Sequence, residues 1–356
     1  MFDTLIAAGL TEPVLVALAG AAGGAVLGLA ARLGRFCTLG AIEDLIYGGS
    51  DLRMRMWALA VGVAATAVFA MDALGWVEAG ATFYVAEGWN PLAHVLGGLL
   101  FGYGMALAGN CGYGALTRLG GGDLRAFVIV LVMGVAAYVV LSGPLAAARV
   151  ALLPPDLIRG EIPAGFAALG GRLLGVPDHA AGLAVGLAIA AAALWPERMR
   201  RAGREVLWGA AVGLAIASGW AGTAWVAGQG FEPVTVASHS FARPLGDTLL
   251  WAMLASGLAL SFGVGSVAGV LAGALAGSLI RGQFRWEACE DARELRRQIG
   301  GAAAMGTGGA LALGCSVGQG LTAFSVLAYG APLTVACIWA GAWLGLRHLI
   351  HGFAPS

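Results

Sequence analysis

The sequence predicts an all-α polytopic membrane protein: about nine transmembrane helices plus re-entrant half-helices in an inverted repeat. Three observations carry this expectation. The 356 residues are 59% hydrophobic and 11% charged, against about 25% charged in soluble domains. All 20 basic residues are Arg, and they fall unevenly between the apolar runs. One Gly- and Cys-bearing stretch is written twice.

The apolar runs are 12–31, 55–77, 92–109, 124–145, 179–196, 205–228, 246–281, 298–314 and 331–350. Most are near the twenty residues that a bilayer crossing needs. The seventh is too long for one simple span, and its pattern leaves open a single or a double crossing. Met1–Leu10 has no positive n-region, so the first run is expected to stay as a span rather than be cleaved. With the N-terminus outside, sixteen Arg fall in inner segments and four (Arg149, Arg159, Arg172, Arg243) in outer ones. Cytoplasmic loops favour Arg and Lys, so nine spans are expected with the N-terminus out and the C-terminus in.

The duplicated stretch is Gly102–Gly114 and Gly306–Gly318. Glycines pair at 102/306, 104/308 and 114/318, and Cys111 pairs with Cys315. A Gly-Gly precedes each copy, at 97–98 and 300–301, with one residue more in the second gap. Five crossings separate the copies, so the units face opposite ways. Residues 1–150 form the first unit, 151–204 an outer loop and linker span, and 205–356 the second unit. Inverted repeats are common in transporters, which bind substrate near the midplane between the repeats.

Four runs, 33–50, 110–122, 232–244 and 315–328, are too short to cross and are read as re-entrant. Irregular backbone at membrane depth must be buried in protein or line a cavity. Half-helix starts direct free N–H groups and partial positive charge at a ligand. Two facing starts make an anion site without a buried cation. Gly112, Gly114 and Gly318 would let backbone approach that ligand closely. Cys111 and Cys315 add polarizable thiols, which suit a soft, sulfur-bearing anion better than a hard oxyanion. Cys37 is a third candidate, and its repeat counterpart is expected near Ser238 and Ser240.

The stretch Gly102-x-Gly104-Met105-x-Leu107-Ala108-Gly109-x-Cys111, with Gly314-Cys315-x-x-Gly318-x-Gly320-Leu321-Thr322, resembles the YeeE/YedE family of TsuA-type thiosulfate transporters. The resemblance covers most of the chain. It implies thiosulfate uptake across the bacterial inner membrane through an hourglass-shaped, Cys-lined inverted repeat. It gives Cys111 and Cys315 the role of central substrate-contacting thiols, with Cys37 as a further pathway Cys. Asn110 stands where Gly is common in the family, and Ser238 or Ser240 where a Cys would answer Cys37. Asn110 and Ser316 flank the central thiols and join the candidate binding set. A cytosolic TusA-like sulfur carrier is an implied partner; no cofactor and no nucleic acid is implied.

Other readings stay beside this one. An intramembrane thiol oxidoreductase or sulfur transferase would use the same cysteines, although the chain has no Cys-x-x-Cys. A transporter of another sulfur or selenium species would share the architecture. A structural subunit with an incidental pore would not need the thiols. Cys337 and Cys289 are read as packing and incidental thiols, and His94 and His239 as polar residues at span ends. Glu43 and Asp44 are read as inner-interface residues.

Overall fold

The computed structural model describes residues 2–352 except 8, 87, 155–156, 159, 161–162 and 289–290. Cys289, Pro155 and Arg159 therefore lie outside the described residues. The elements that position the site are α1 (Glu12–Gly34), α2 (Thr38–Ile46), α3 (Leu52–Ala73), α4 (Pro91–Ala108), α5 (Gly112–Leu119) and α6 (Leu124–Leu141). There follow α7 (Asp178–Leu194), α8 (Gly203–Gln229), α9 (Arg243–Leu254), α10 (Phe262–Ile280) and α11 (Ala292–Leu311). A helical segment over 316–325, α12, has a π-helical middle at Gly318–Ala323. The last helix is α13 (Gly330–His351). No strand occurs among the described residues.

Among the described residues, seven segments are long and apolar enough to cross a membrane, which makes this a multi-pass membrane protein. Helix α7 adds an eighth if it counts as one span with Phe166–Leu174, from which it is bent by 113°. The expected run 298–314 is α11, whose first turns carry Arg293, Glu294, Arg296 and Arg297 and so dilute its apolar character. The long run 246–281 divides into α9 and α10, and only α10 is long enough to cross alone.

Glycine sets the helix packing. With so many apolar side chains facing lipid, association in a bilayer depends on close backbone approach at small residues. Gly20, Gly24 and Gly28 of α1 lie against Phe262, Ser266 and Val270 of α10, and Gly265, Gly269 and Gly273 lie against Ala17, Ala21 and Ala25. These two helices therefore run parallel. Helices α3 and α8 are likewise parallel, through Gly209 against Met56 and Gly213 against Ala60. Helices α4 and α13 are parallel too, through Gly98 against Cys337 and Gly345 against Ala106.

Helices α4 and α11 cross antiparallel. A Cβ on Gly97 would lie 2.7 Å from the Gly308 carbonyl oxygen, and one on Gly104 2.5 Å from that of Gly301. The same contacts are seen from the other side, Gly308 meeting Gly97 and Gly301 meeting Gly104 at 2.6 Å. This reciprocity pairs Gly97 with Gly301 at the spacing of the 102/306 pair, so the extra residue expected in the second gap is not needed. Helices α1 and α8 are also antiparallel, Gly34 meeting Trp208 while Gly222 meets Ala19. Helix α7 runs opposite to α3, with Gly62 against Ala190 and Gly182 against Phe69. Taken in chain order, α1, α3, α4, α6, α7, α8, α10, α11 and α13 alternate in direction.

The short helices differ from the re-entrant expectation. Helices α1 and α2 form one broken span, Glu12–Ile46, and α4 and α5 another, Pro91–Leu119. Helix α5 keeps company with α1 along its length: the Tyr113 hydroxyl donates to the Leu27 carbonyl (2.5 Å), and Arg32 Nε donates to the Thr117 carbonyl (3.0 Å). The interrupted runs thus continue across the protein instead of turning back.

The glycine contacts give a direct test. A methyl at Gly102 would overlap the Ile338 carbonyl and sit 2.8 Å from the Ala342 nitrogen, both backbone atoms that cannot swing aside. A methyl at Gly300 meets nothing within 4 Å. Gly102→Ala is expected to destabilise the purified protein by about 1–3 kcal/mol, as overpacking does. Gly300→Ala is expected to be neutral or slightly stabilising. Melting of both variants in detergent, followed by loss of the monodisperse peak, checks the difference.

Candidate functional site

The site is built from three helix breaks of one design. Each begins with a residue in the left-handed region: Arg35 (φ 57°), Gly109 (φ 74°) and Leu313 (φ 55°). Two residues later comes a cysteine: Cys37, Cys111 and Cys315. Each thiol then caps the next helix. The Gly40 N–H donates to Cys37 Sγ at 3.5 Å, the Gly114 N–H to Cys111 Sγ at 3.4 Å, and the Gly318 N–H to Cys315 Sγ at 3.3 Å. Ser, Thr, Asp or Asn usually fills that role. The left-handed conformation is easy for Gly109 and costs an ordinary L-residue about 1–2 kcal/mol, so Arg35 and Leu313 hold local strain at the site.

The recurring motif is therefore Cys-x-x-Gly, at 37–40, 111–114 and 315–318. Its third copy, at Cys37, was legible in the sequence and is the signal that links this thiol to the central pair. Each glycine faces a crowded side chain. At Gly40 a Cβ would lie 2.5 Å from Arg53 Nη1, at Gly318 2.5 Å from Ser240 Oγ, and at Gly114 3.1 Å from Asn110 Cβ.

The fourth position departs from the design. Helix α9 starts after Ala242, with no side-chain cap, and Phe241-Ala242 stands there as Phe36-Cys37 stands before α2. The cap counterpart of Cys37 is thus Ala242 rather than Ser238 or Ser240. The Phe241 N–H is instead given to Cys315 Sγ at 3.3 Å, so this sulfur accepts two backbone N–H groups. Ser238 donates to the Ile216 carbonyl at 2.6 Å. Ser240 lies against Gly318 and Tyr84.

Cys111 and Cys315 are each 1% exposed, whereas Cys37 is partly exposed. Cys111 stands within electrostatic reach of Cys37 and, more weakly, Cys315, with Ser316 beside it. All three thiols are free. Tyr113 borders Cys111 and Cys37, and its ring packs on Phe241 at 5.5 Å. Asn110 is buried next to Cys111. Gly112 serves packing, since a Cβ there would strike the Met133 thioether at 2.6 Å. Thr38, Tyr84, Tyr113 and the Phe241 amide belong to the site and were not singled out from the sequence. Cys337 packs against Gly98, and the buried His94 bonds Thr334 Oγ1 at 2.7 Å, away from the thiols.

A cavity of about 510 Å³ leads towards the Cys315 end. Ser240 and Gly314 form part of its wall, and Pro13, Glu232 and Arg243 also line it. It opens on the face that holds the start of α1 and the ends of α6 and α8.

One carbonyl at each break is met by a side chain. Arg281 Nη2 donates to the Leu33 carbonyl at 2.7 Å, Arg118 Nη2 to that of Gly109 at 3.2 Å, and Gln319 Nε2 to that of Ala312 at 2.8 Å. Helices α5 and α12 run from the middle of the protein in opposite directions, so their N-terminal partial charges meet at Cys111 and Cys315. With each sulfur already accepting N–H groups, the S–H hydrogen remains to donate. Such an arrangement can hold an anion by dipoles and thiols with no cation among its caps.

Comparison with known proteins gives the family of the chain. The chain is 25% identical over 352 residues to a protein of Escherichia coli (strain K12) named thiosulfate transporter TsuA, covering 94% of this chain and 92% of that one. A family model described as "Sulphur transport" matches residues 33–344, a range that contains all three Cys-x-x-Gly motifs. The chain belongs to this sulphur transport family, the YeeE/YedE family expected from its motifs.

Proposed function

We propose that this chain takes up thiosulfate, or a closely related sulfur anion, across the bacterial inner membrane. The observation that carries the reading is the meeting of Cys111 and Cys315 at the starts of two oppositely directed half-helices, each thiol held by its own Cys-x-x-Gly cap. Similarity to a protein named a thiosulfate transporter over nearly the whole chain supports it. The anion enters by the 510 Å³ cavity and reaches Cys315 past Ser240 and Gly314. It passes to Cys111 and then to Cys37 by exchanging S–H hydrogen bonds. No covalent bond to sulfur is required. The two repeat units are 1–150 and 205–356, with 151–204 as the linker. A TusA-like carrier on the cytosolic side is the partner that would receive the sulfur.

The cavity mouth faces outward in this reading, because the Arg distribution puts the start of α1 outside. Cysteines placed at Leu152 and Arg201, in a form otherwise free of cysteine, should report this. Leu152 is 77% exposed and Arg201 has a side-chain exposure of 79%. An impermeant thiol reagent added to intact cells is expected to label Leu152→Cys and spare Arg201→Cys. The reverse pattern overturns the orientation.

Growth on thiosulfate as sole sulfur source tests the transport itself, in a host lacking its own sulfate and thiosulfate importers. Wild type is expected to grow, and Cys111→Ala and Cys315→Ala, at matched expression, are expected to fail. Growth of all three strains would retain transport and discard the thiol pathway. Failure of well-inserted wild type would discard thiosulfate as the cargo.

A further inference from the structure

Several buried hydroxyls in this protein find a carbonyl. Thr117, Thr223, Ser278 and Ser325 donate to backbone oxygens at 2.7–2.8 Å. The polar groups beside the thiols do not. Asn110 is 2% exposed, and neither its amide nitrogen nor its amide oxygen has a partner among the described residues. Ser316 is 2% exposed, and its hydroxyl meets no oxygen or nitrogen partner, only the Cys111 thiol beside it. Thr38, which follows Cys37 as Ser316 follows Cys315, repeats this at 6% exposure.

An unmet buried polar group costs about 1–3 kcal/mol. A folded protein keeps several at one place when something else satisfies them. Space is also reserved for one of them: a side chain at Gly114 would crowd Asn110 Cβ at 3.1 Å. The orphans and the thiols differ in chemistry. An amide N–H or a hydroxyl is a hard donor that bonds well to an anionic oxygen. A thiol is polarizable and a weak donor.

We infer that the site is bipolar: the Asn110 amide and the Ser316 hydroxyl, with Thr38 beside Cys37, hold the oxygens of the ligand while the thiols hold its terminal sulfur. The inference rests on the transport reading for the ligand's class and names residues and roles within that site. It selects anions with an S–SO₃ unit, which present a soft end and a hard end together. Hydrosulfide leaves the hard donors unmet, and sulfate offers the thiols no soft partner. A site built to bond a polar group rejects analogues lacking it more strongly than an apolar pocket rejects a misfit.

Binding to the purified full-length protein tests this without depending on transport. Thiosulfate, sulfate and hydrosulfide are titrated separately, under reducing conditions, and read by the ligand-dependent rise in melting temperature. Wild type is expected to bind thiosulfate at least about tenfold more tightly than either single-ended ion, a gap of about 1.4 kcal/mol. Asn110→Ala and Ser316→Ala, with unliganded melting close to wild type, are each expected to weaken thiosulfate about tenfold or more and to leave hydrosulfide binding unchanged. Equal affinity of wild type for thiosulfate and hydrosulfide would overturn the bipolar site. So would unchanged thiosulfate affinity in both variants, or parallel loss of both ligands. Tight, selective thiosulfate binding without growth on thiosulfate would instead count against transport and leave the bipolar site standing.

Discussion

The rest of this structure depends on one requirement: a helix broken at membrane depth must have its backbone groups satisfied from within the protein. Each unmet group costs several kcal/mol where water cannot reach. At all three breaks one N–H of the new helix is met by a thiol three residues back, and one carbonyl at the break is met by a long side chain. Arg118 and Arg281 can do this from the membrane edge, because a long side chain keeps its charge near water while its donors reach inward. The cysteines therefore do two jobs with one atom. The sulfur completes the helix start as an acceptor, and in the proposed site its S–H would donate to the ligand.

That arrangement needs the two halves of the protein to come very close. The crossing of α4 and α11 is made by Gly97 on Gly308 and Gly104 on Gly301, backbone against backbone. Only this proximity brings the starts of α5 and α12, which follow directly from these helices, to a common centre. The flanking pairs, α1 with α10 and α3 with α8, hold the arrangement with further glycine contacts. The high glycine content is thus spent on helix contacts as well as on turns.

Much of this was legible in the sequence, because glycine and cysteine spacing records contact directly. The 102/306 spacing is matched by the reciprocal contacts of Gly97 with Gly308 and Gly104 with Gly301, and the alternation of helix direction follows the order of the apolar runs. The parts that were not legible have physical reasons. Run length alone cannot tell a segment that turns back from one that carries on, so the re-entrant expectation for 33–50 and 110–122 has no local signal to correct it. The left-handed residues at two breaks are Arg35 and Leu313, types that carry no signal of that conformation. Ser238 and Ser240 looked like the answer to Cys37 by residue type, whereas the cap itself falls on Ala242. The unpartnered state of Asn110 and Ser316 depends on what surrounds them in three dimensions, which no local pattern encodes.

The asymmetry at Ala242 bears on how an anion could move through the centre. Cys315 gathers two N–H donors, from Gly318 and Phe241, while Cys111 receives one. The first unit has a second thiol at Cys37, and the second unit has the Phe241 amide in the corresponding place. The cavity leads to the end with backbone donors and a single thiol, and the series of thiols lies beyond it. An anion arriving from the cavity would first meet fixed dipoles, which require no rearrangement to bind it. It would then move among weak S–H donors, each exchangeable for the next. A cation at the centre would bind a dianion more tightly and also hold it there, whereas conduction demands binding weak enough to be left. In the proposed path, dipoles at the entrance followed by thiols would give attraction and then release, in the order that uptake needs.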